Sequence, residues 1–471
     1  MSTSRKRKDI LVLMTDQHRA DWIGAYGAKH VRTPSLDRLA SEGALFTRCI
    51  TTSPICMPAR VSFLTGMYPH NFGMWDNVGR LHDARETCLH SLKDAGYRTC
   101  HVGKSHLSPH GGGKDLRDEE PYMRALGWDD ILETTGPLST QNTKSILTDW
   151  MEAEGIYQTF LADYRKRREV GWNKALWPSP LPDGMHMDDF ICRTAEEYIS
   201  RSERSTPLYL FVGFGGPHNP WDPPARYDTY RPEDMPPPLP RDPAPEWLSG
   251  PAREHHERMM GHNRDITPEQ WARVRSLYSA RIEHLDHLMG RVLEAWRAAR
   301  GDDAWILFWS DHGEMLGDKG RCSKEVFYEP SVRVPAILRP PAGSPKPVTC
   351  GGLVSLTDLT ATLLHIAGCE KTSPNVFGKS LLPALESLDR VGAPVVFSEI
   401  GDRTMAFDGR WKMVVNSRDD VLQLFDLQSD PTEAVNLVGR SDTSEVVERL
   451  RREILDFLLR TADRQFREVN S

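Results

Sequence analysis

The chain predicts an α/β fold: a large mixed, mostly parallel sheet between helices, followed by a smaller C-terminal α+β unit. Three observations point to it. The apolar runs at residues 10–14 (ILVLM), 208–214 (LYLFVGF) and 305–309 (WILFW) are unbroken, as strands buried on both faces are. Segments with helical spacing separate them, the longest at 270–300. Past residue 390, short alternating runs (VVFSEI, RTMAFDG, RWKMVVN, LQLFDL) alternate with turns, as in a small antiparallel sheet. The units expected are 1–375 and 390–471, with a linker around 374–391.

The 471 residues carry 59 Lys and Arg against 66 Asp and Glu, a formal charge of −7, so no global positive field argues for nucleic acid. No stretch has the length of a transmembrane helix, so no membrane partner is expected. The basic run at 5–8 precedes an apolar stretch too short for a signal-peptide core. Eight cysteines are scattered without CxxC pairs. Together these predict reduced thiols in a cytoplasmic protein.

Each element follows in order. The first strand ends at Asp16, beside Gln17, where ligands collect at the carboxyl ends of strands. TPSLDRLASEG then starts a helix at Thr33-Pro34 and stops it at a glycine. In SPICMPARVSFLTG, Pro58 suits the first turn of a helix and Gly66 its end. That puts Cys56 just ahead of a helix N-terminus, where unpaired N–H groups favour an anion, with the cation Arg60 about one turn further in. TCLHSLKDAGY reads as an amphipathic helix leading to the strand RTCHVGKSHL, closed by Lys104 and His106. Residues 111–177 read as an irregular insertion over the sheet edge, and 187–201 as a helix. The strand at 208–214 delivers His218, and the Pro-rich segment 222–250 reads as extended. The strand at 305–309 delivers Asp311 and His312 to the same sheet edge as Asp16. Residues 351–368 read as one helix, and 445–466 as a charged amphipathic helix.

Cys56-x-Pro58-x-Arg60 followed by Leu64-Thr65-Gly66 resembles the sulfatase signature of the alkaline phosphatase superfamily. GKSHL, GPHNP, the Asp311-His312-Gly313-Glu314 stretch and DLQSDPTEAVNL are similar to further segments of that family, so the resemblance spans nearly the whole chain. It implies an alkaline-phosphatase-like fold. It also implies that a formylglycine-generating enzyme oxidises Cys56 to formylglycine, whose hydrated aldehyde is the nucleophile. By the same resemblance Asp16, Gln17, Cys56, Asp311 and His312 surround one divalent metal ion. Many sulfatases have two adjacent Asp where this chain has Asp16-Gln17, so one ligand is replaced or weakened. Carboxylates with an imidazole suit Mn²⁺ or Ca²⁺, with Mg²⁺ a third candidate. The resemblance makes Lys104, His106, His218, Lys324 and Arg60 catalytic, and Asn77 a holder of the anion.

The reaction implied is hydrolysis of an aryl, carbohydrate or alkyl sulfate monoester, a small-molecule substrate. Gln17, the Asp-His pair and Asn77 resemble phosphonate monoester hydrolases, which leaves a phosphonate or phosphodiester as the alternative. A non-catalytic anion- or metal-binding scaffold with an unconverted thiol is the distant third. The C-terminal unit is expected to support a homodimer or homotetramer.

Overall fold

The computed structural model describes residues 7–81, 87–260, 263, 265–343, 347–369, 376–385 and 392–462. The three apolar runs lie side by side at its centre. β1 (Asp9–Asp16) runs parallel to β5 (Leu208–Pro217) on one side and to β6 (Ala304–Ser310) on the other, with Leu13 opposite both Val212 and Phe308. β3 (Arg98–Gly103) extends the parallel run beyond β5, and β4 (Asp130–Glu133) forms its edge. Beyond β6 the direction mixes. β8 (Ala336–Arg339) is antiparallel to β6 and to β2 (Ala44–Ile50), while β2 also pairs with β7 (Arg333–Val334) and with the parallel β9 (Val348–Ser355). These nine strands, among the described residues, are the expected mixed, mostly parallel sheet.

Alternation along the central strands explains the layers. Leu11, Leu13, Leu210, Val212 and Phe308 face the helices Met187–Arg201 and Pro268–Arg300. Ile10, Val12, Met14, Phe211 and Trp309 face the helices Cys56–Thr65, Cys88–Asp94 and Leu356–Ala367. With both faces covered, polar side chains meet only where the strands end.

The C-terminal strands β10 (Val396–Ile400), β11 (Arg403–Phe407), β12 (Trp411–Asn416) and β13 (Val421–Asp426) form a separate antiparallel sheet. One face packs under the helix Ser444–Arg460 through Leu450, Ile454 and Phe457. The other packs on Ile50, Ile55, Phe327 and Leu353 of the large unit, close to Cys56. The part of the expected last helix beyond residue 462 lies outside the described residues.

Two expectations are corrected. Residues 111–177 are not irregular: they hold β4 and the helices Glu120–Ala125, Ile146–Ala153 and Tyr157–Val170. The last buries only Phe160, Tyr164 and Arg167, so its charged residues mask the apolar stripe. Residues 351–368 are not one helix. Gly351 and Gly352, poor helix formers, belong to β9, and the helix starts at Leu356 behind Ser355, whose N–H is capped by the Asp358 carboxylate at 2.8 Å.

Candidate active site

The carboxyl ends of β1, β3, β5 and β6 bring Asp16, Lys104, His218, Asp311 and His312 to one place, and the helix Cys56–Thr65 points its N-terminus there. Cys56 is the first residue of that helix, one position further in than the sequence suggests, and Gly66 ends it at φ 74°. Donor atoms of Asp16, Cys56, Asp311 and His312 lie within 4.8 Å of one another, all buried.

Arg60 organises this group. Its Nη2 donates to Asp16 Oδ2 and its Nε to Asp311 Oδ2, both at 2.8 Å, and Nη1 donates to the carbonyls of Lys104 and Ser105. One guanidinium thereby holds two carboxylates and the turn after β3, which is the use its planar fork suits. Lys104 Nζ also pairs with Asp16 Oδ2, while Asp311 Oδ1 accepts the N–H groups of Gln17 and His312 at 3.0 and 2.9 Å. Asp16 Oδ1 is left facing Cys56 Sγ at 3.9 Å and His312 Nε2 at 3.8 Å.

His312 is oriented by its other nitrogen. Nδ1 sits 3.0 Å from the Gly313 carbonyl, which only accepts, so Nδ1 carries the hydrogen. In the neutral ring that leaves the lone pair on Nε2, which faces Cys56 Sγ at 3.1 Å and the carboxylate group. Burial opposes a charge on this ring, but Asp311 and Cys56 favour the protonated form while no cation takes that place. Two carboxylates, a free imidazole nitrogen and the atom at position 56 fit a divalent cation, and no donor in the set conflicts with one. Gln17 lies outside this group. Its Oε1 accepts from Lys324 Nζ at 2.6 Å and its Nε2 contacts Glu314, with its backbone in the left-handed region at φ 69°.

The charges are set by burial against neighbours. Burial alone would raise the Asp16 carboxyl, but Lys104 and Arg60 hold it well below the usual range. Burial and Asp16 push the Cys56 thiol up, yet Lys324, His312 and Lys104 outweigh them and its pKa falls. Burial, then Lys324, drive His218 well below the ordinary imidazole value. Its tautomer agrees: Lys324 Nζ donates to Nε2 at 2.9 Å, and Nδ1 donates to the Asn219 carbonyl at 2.7 Å. Burial opposes the charge of Lys324 too, but Cys56 and Asp16 keep it protonated.

Asn77 turns its Oδ1 to the Met57 N–H at 2.9 Å, closing an open donor beside Cys56. His106 stands in the left-handed region at φ 52°, its ring 4.6 Å from that of His110. Sequence reasoning missed the groups that hold these residues. Glu133 accepts the N–H groups of Ser105 and His106 at 2.9 and 3.4 Å, and Thr51 donates to the Asp311 carbonyl at 2.6 Å. Glu133 had no signal, lying on a four-residue strand. Glu314 stood in plain view two residues past His312.

Comparison with known proteins now decides the family. The chain matches the sulfatase family over residues 8–369. It belongs to that family. It is a sulfuric ester hydrolase with the alkaline-phosphatase-like fold. A choline-sulfatase of Rhizobium meliloti is 30% identical over 92% of this chain and 82% of its own length. An arylsulfatase of Clostridium perfringens is 27% identical, covering 95% of this chain and 93% of its own. Among solved structures, a phosphonate monoester hydrolase of Agrobacterium radiobacter superposes with a TM-score of 0.81 at 22% identity, covering 97% and 96% of the two chains. No helix among the described residues is long and apolar enough to cross a membrane.

Proposed function

We propose that this sulfatase hydrolyses small sulfate monoesters with Cys56 matured to formylglycine by a formylglycine-generating enzyme, and with one divalent cation held by Asp16, Asp311 and His312. The observation that carries the reading is the buried convergence of Asp16, Cys56, Asp311 and His312 within 4.8 Å, bordered by Lys104 and Lys324. Formylglycine and the cation, Mn²⁺ or Ca²⁺ before Mg²⁺, would supply the nucleophile and the charge that activates it.

The chain's own residues do the rest. Arg60 orients the two carboxylates rather than reaching outward, since each of its three nitrogens is engaged at that sheet edge. Lys104 and Lys324 supply positive charge to the transferring group, in a buried setting where it counts most. His218 is neutral and accepts from Lys324, so the proton nearest a departing oxygen is on Lys324 Nζ, and His218 fixes where that ammonium points. His106, driven well below the ordinary imidazole range by burial, then by His110 and Lys104, serves as a neutral partner to the ester. Asn77 acts from the helix N-terminus, where an anion is favoured.

A second reading, hydrolysis of phosphonate monoesters or phosphodiesters, is favoured by Gln17. Its neutral amide binds Lys324 where many sulfatases have a second aspartate, and a singly charged phosphorus ester fits the same cradle. The test is kcat/KM for 4-nitrophenyl sulfate against 4-nitrophenyl phenylphosphonate, with the chain co-expressed with a maturation enzyme and supplied with Mn²⁺ or Ca²⁺. Faster sulfate turnover, with the residue-56 peptide lighter by the mass of the thiol conversion, is expected. An unconverted thiol with no turnover of either ester would leave the scaffold reading. The cytoplasmic setting and a dimer or tetramer through the C-terminal unit belong to the same proposal, checked by fractionation of the native host and by light scattering.

A further inference from the structure

Among the described residues, every buried arginine but one has a carboxylate within salt-bridge reach: Arg19, Arg60, Arg167, Arg275, Arg281 and Arg339 all do. The exception is Arg321, only 8% exposed. Its Nη1 donates to the Met259 carbonyl and its Nε has no hydrogen-bond partner. Burying a guanidinium without a counter-ion costs several kcal/mol, on the order of the penalty for any unpaired internal ion.

Arg321 has company of its own sign. Met259 lies on the helix Gly250–Met260, which also carries His255 and Arg258. Arg403, which begins β11, holds its guanidinium 5.8 Å from the centre of the Phe327 ring. Neither Arg258 nor Arg403 forms an ion pair among the described residues. Burial, then Arg403, Arg258 and Arg321 in turn, push His255 down to about 3. Burial also lowers Arg321, with Tyr328, Glu325 and Cys322 opposing it more weakly, and lowers Arg403 against Asp402 and Glu325. Among the described residues this is a cluster of positive charge without an ion pair, with Arg321 buried, Arg403 half-buried and Arg258 exposed.

It also borders the candidate active site. Arg321 stands three residues before Lys324, about 10 Å at full extension. Glu325 N–H donates to the Pro54 carbonyl at 3.1 Å, two residues before Cys56. Phe327, under Arg403, packs in one cluster with Ile55.

We propose that Arg258, Arg321 and Arg403, around His255, form a second anion site that takes a carboxylate or further sulfate on the leaving group of the ester cleaved at Cys56. The preferred substrate is then a polyanionic sulfate ester, such as a sulfated acidic saccharide, and not a sulfate of a cationic alcohol. This rests on the sulfatase reading above. Guanidinium forks match carboxylate and sulfate oxygens two at a time, so the anion supplies what Arg321 lacks.

Calorimetry on the full-length, unmatured, Mn²⁺-supplied chain reads binding without turnover, so this proposal and the sulfatase reading fail separately. The probes are N-acetylglucosamine 6-sulfate and the chondroitin 6-sulfate disaccharide, which adds a uronate. The disaccharide is expected to bind about tenfold more tightly or better. Arg321→Gln, and Arg403→Gln as a more exposed second site, should bring that ratio close to one, and Arg321→Lys should keep part of it. Equal binding of both sugars by the unsubstituted chain, or a preference that survives both glutamine variants, would overturn the site. Inorganic phosphate bound in an Arg321-dependent way without a disaccharide preference would give the cluster to a free anion and overturn the substrate assignment.

Discussion

Among the described residues, two buried groups built on histidine and aspartate have the donor spacing of a metal site: Asp16, Cys56, Asp311 and His312 at the sheet edge, and His186, Asp189 and His284 between two helices. Composition does not separate them; the second nitrogen of each ring does. His312 Nδ1 donates to a carbonyl and so frees Nε2. His284 Nδ1 faces Arg281 Nη1 at 2.9 Å, and arginine only donates, so Nδ1 accepts and Nε2 carries the hydrogen. His186 Nδ1 accepts the Asp188 N–H at 3.2 Å, with the same consequence. His284 Nε2 lies 3.2 Å from an Asp189 oxygen and His186 Nε2 3.6 Å from an Asp222 oxygen, at ion-pair separation. Burial pushes His284 down to about 4, and Asp189, which burial alone would raise, is held low by His284. A neutral imidazole that carries its hydrogen on the nitrogen facing the carboxylate offers a cation there no ring lone pair. The first group invites a metal; the second is a closed network.

The largest effect should come from breaking the open group. Asp311→Ala removes one ligand and the partner of Arg60 Nε, and kcat/KM should fall about a thousandfold or more. Bound metal, read by elemental analysis, should fall with it. Asp189→Asn should leave metal content unchanged and lower the melting temperature. Metal lost from Asp189→Asn and kept by Asp311→Ala would reverse the comparison.

Breaking the closed network should cost stability instead. Arg281 pairs with Asp188, whose other oxygen accepts the Gly215 N–H at 2.7 Å, three residues before His218. The fit is tight: a Cβ on Gly216 would come within 2.3 Å of Arg281 Nη2, so any side chain there would have to displace the Arg281–Asp188 pair. Arg281→Met leaves Asp188 charged and buried and should destabilise the fold by about 3–5 kcal/mol in urea titrations. An unchanged midpoint would mean that the network does not brace the end of β5.

The sequence made the open group legible and left the closed one hidden, for a physical reason. Asp16, His218, Asp311 and His312 each terminate an unbroken apolar run, so the strand pattern itself reports where they meet. The CxPxR–LTG motif then placed Cys56 and Arg60 beside them. His284 and Asp189 sit inside helices, at positions where a buried and a solvated polar residue look alike. Nothing local tells that Pro268–Arg300 presents His284 to Asp189 across an interface. The long strands and helices were readable by periodicity. β4 and β9 were not, because one is four residues long and the other carries two glycines. The uncompensated arginines were equally invisible: Arg321 differs from its neighbours in the chain only by what it fails to touch.

The smallest prediction concerns a carboxylate that has neither a metal nor a cation. Asp286 lies on the same helix as Arg281 and His284 and is buried, and it accepts the backbone N–H groups of Ser35 at 2.9 Å and Leu36 at 2.8 Å, with the Ser35 hydroxyl beside them. Burial outweighs those bonds and pushes its carboxyl up to about 6. An unfolded aspartic acid titrates at about 4, so between the two values the folded chain binds more protons and stability falls as pH rises. Between about pH 5 and about pH 7 the loss from this one group is about 1 kcal/mol. Asp286→Asn lacks the titration, so the stability of the unsubstituted chain relative to this variant should drop by that amount over the same interval. A constant difference would mean that two helix N–H groups compensate a buried aspartate as fully as His284 compensates Asp189. A falling one would mean that in this interior a carboxylate stays ionised only beside a ring or a guanidinium.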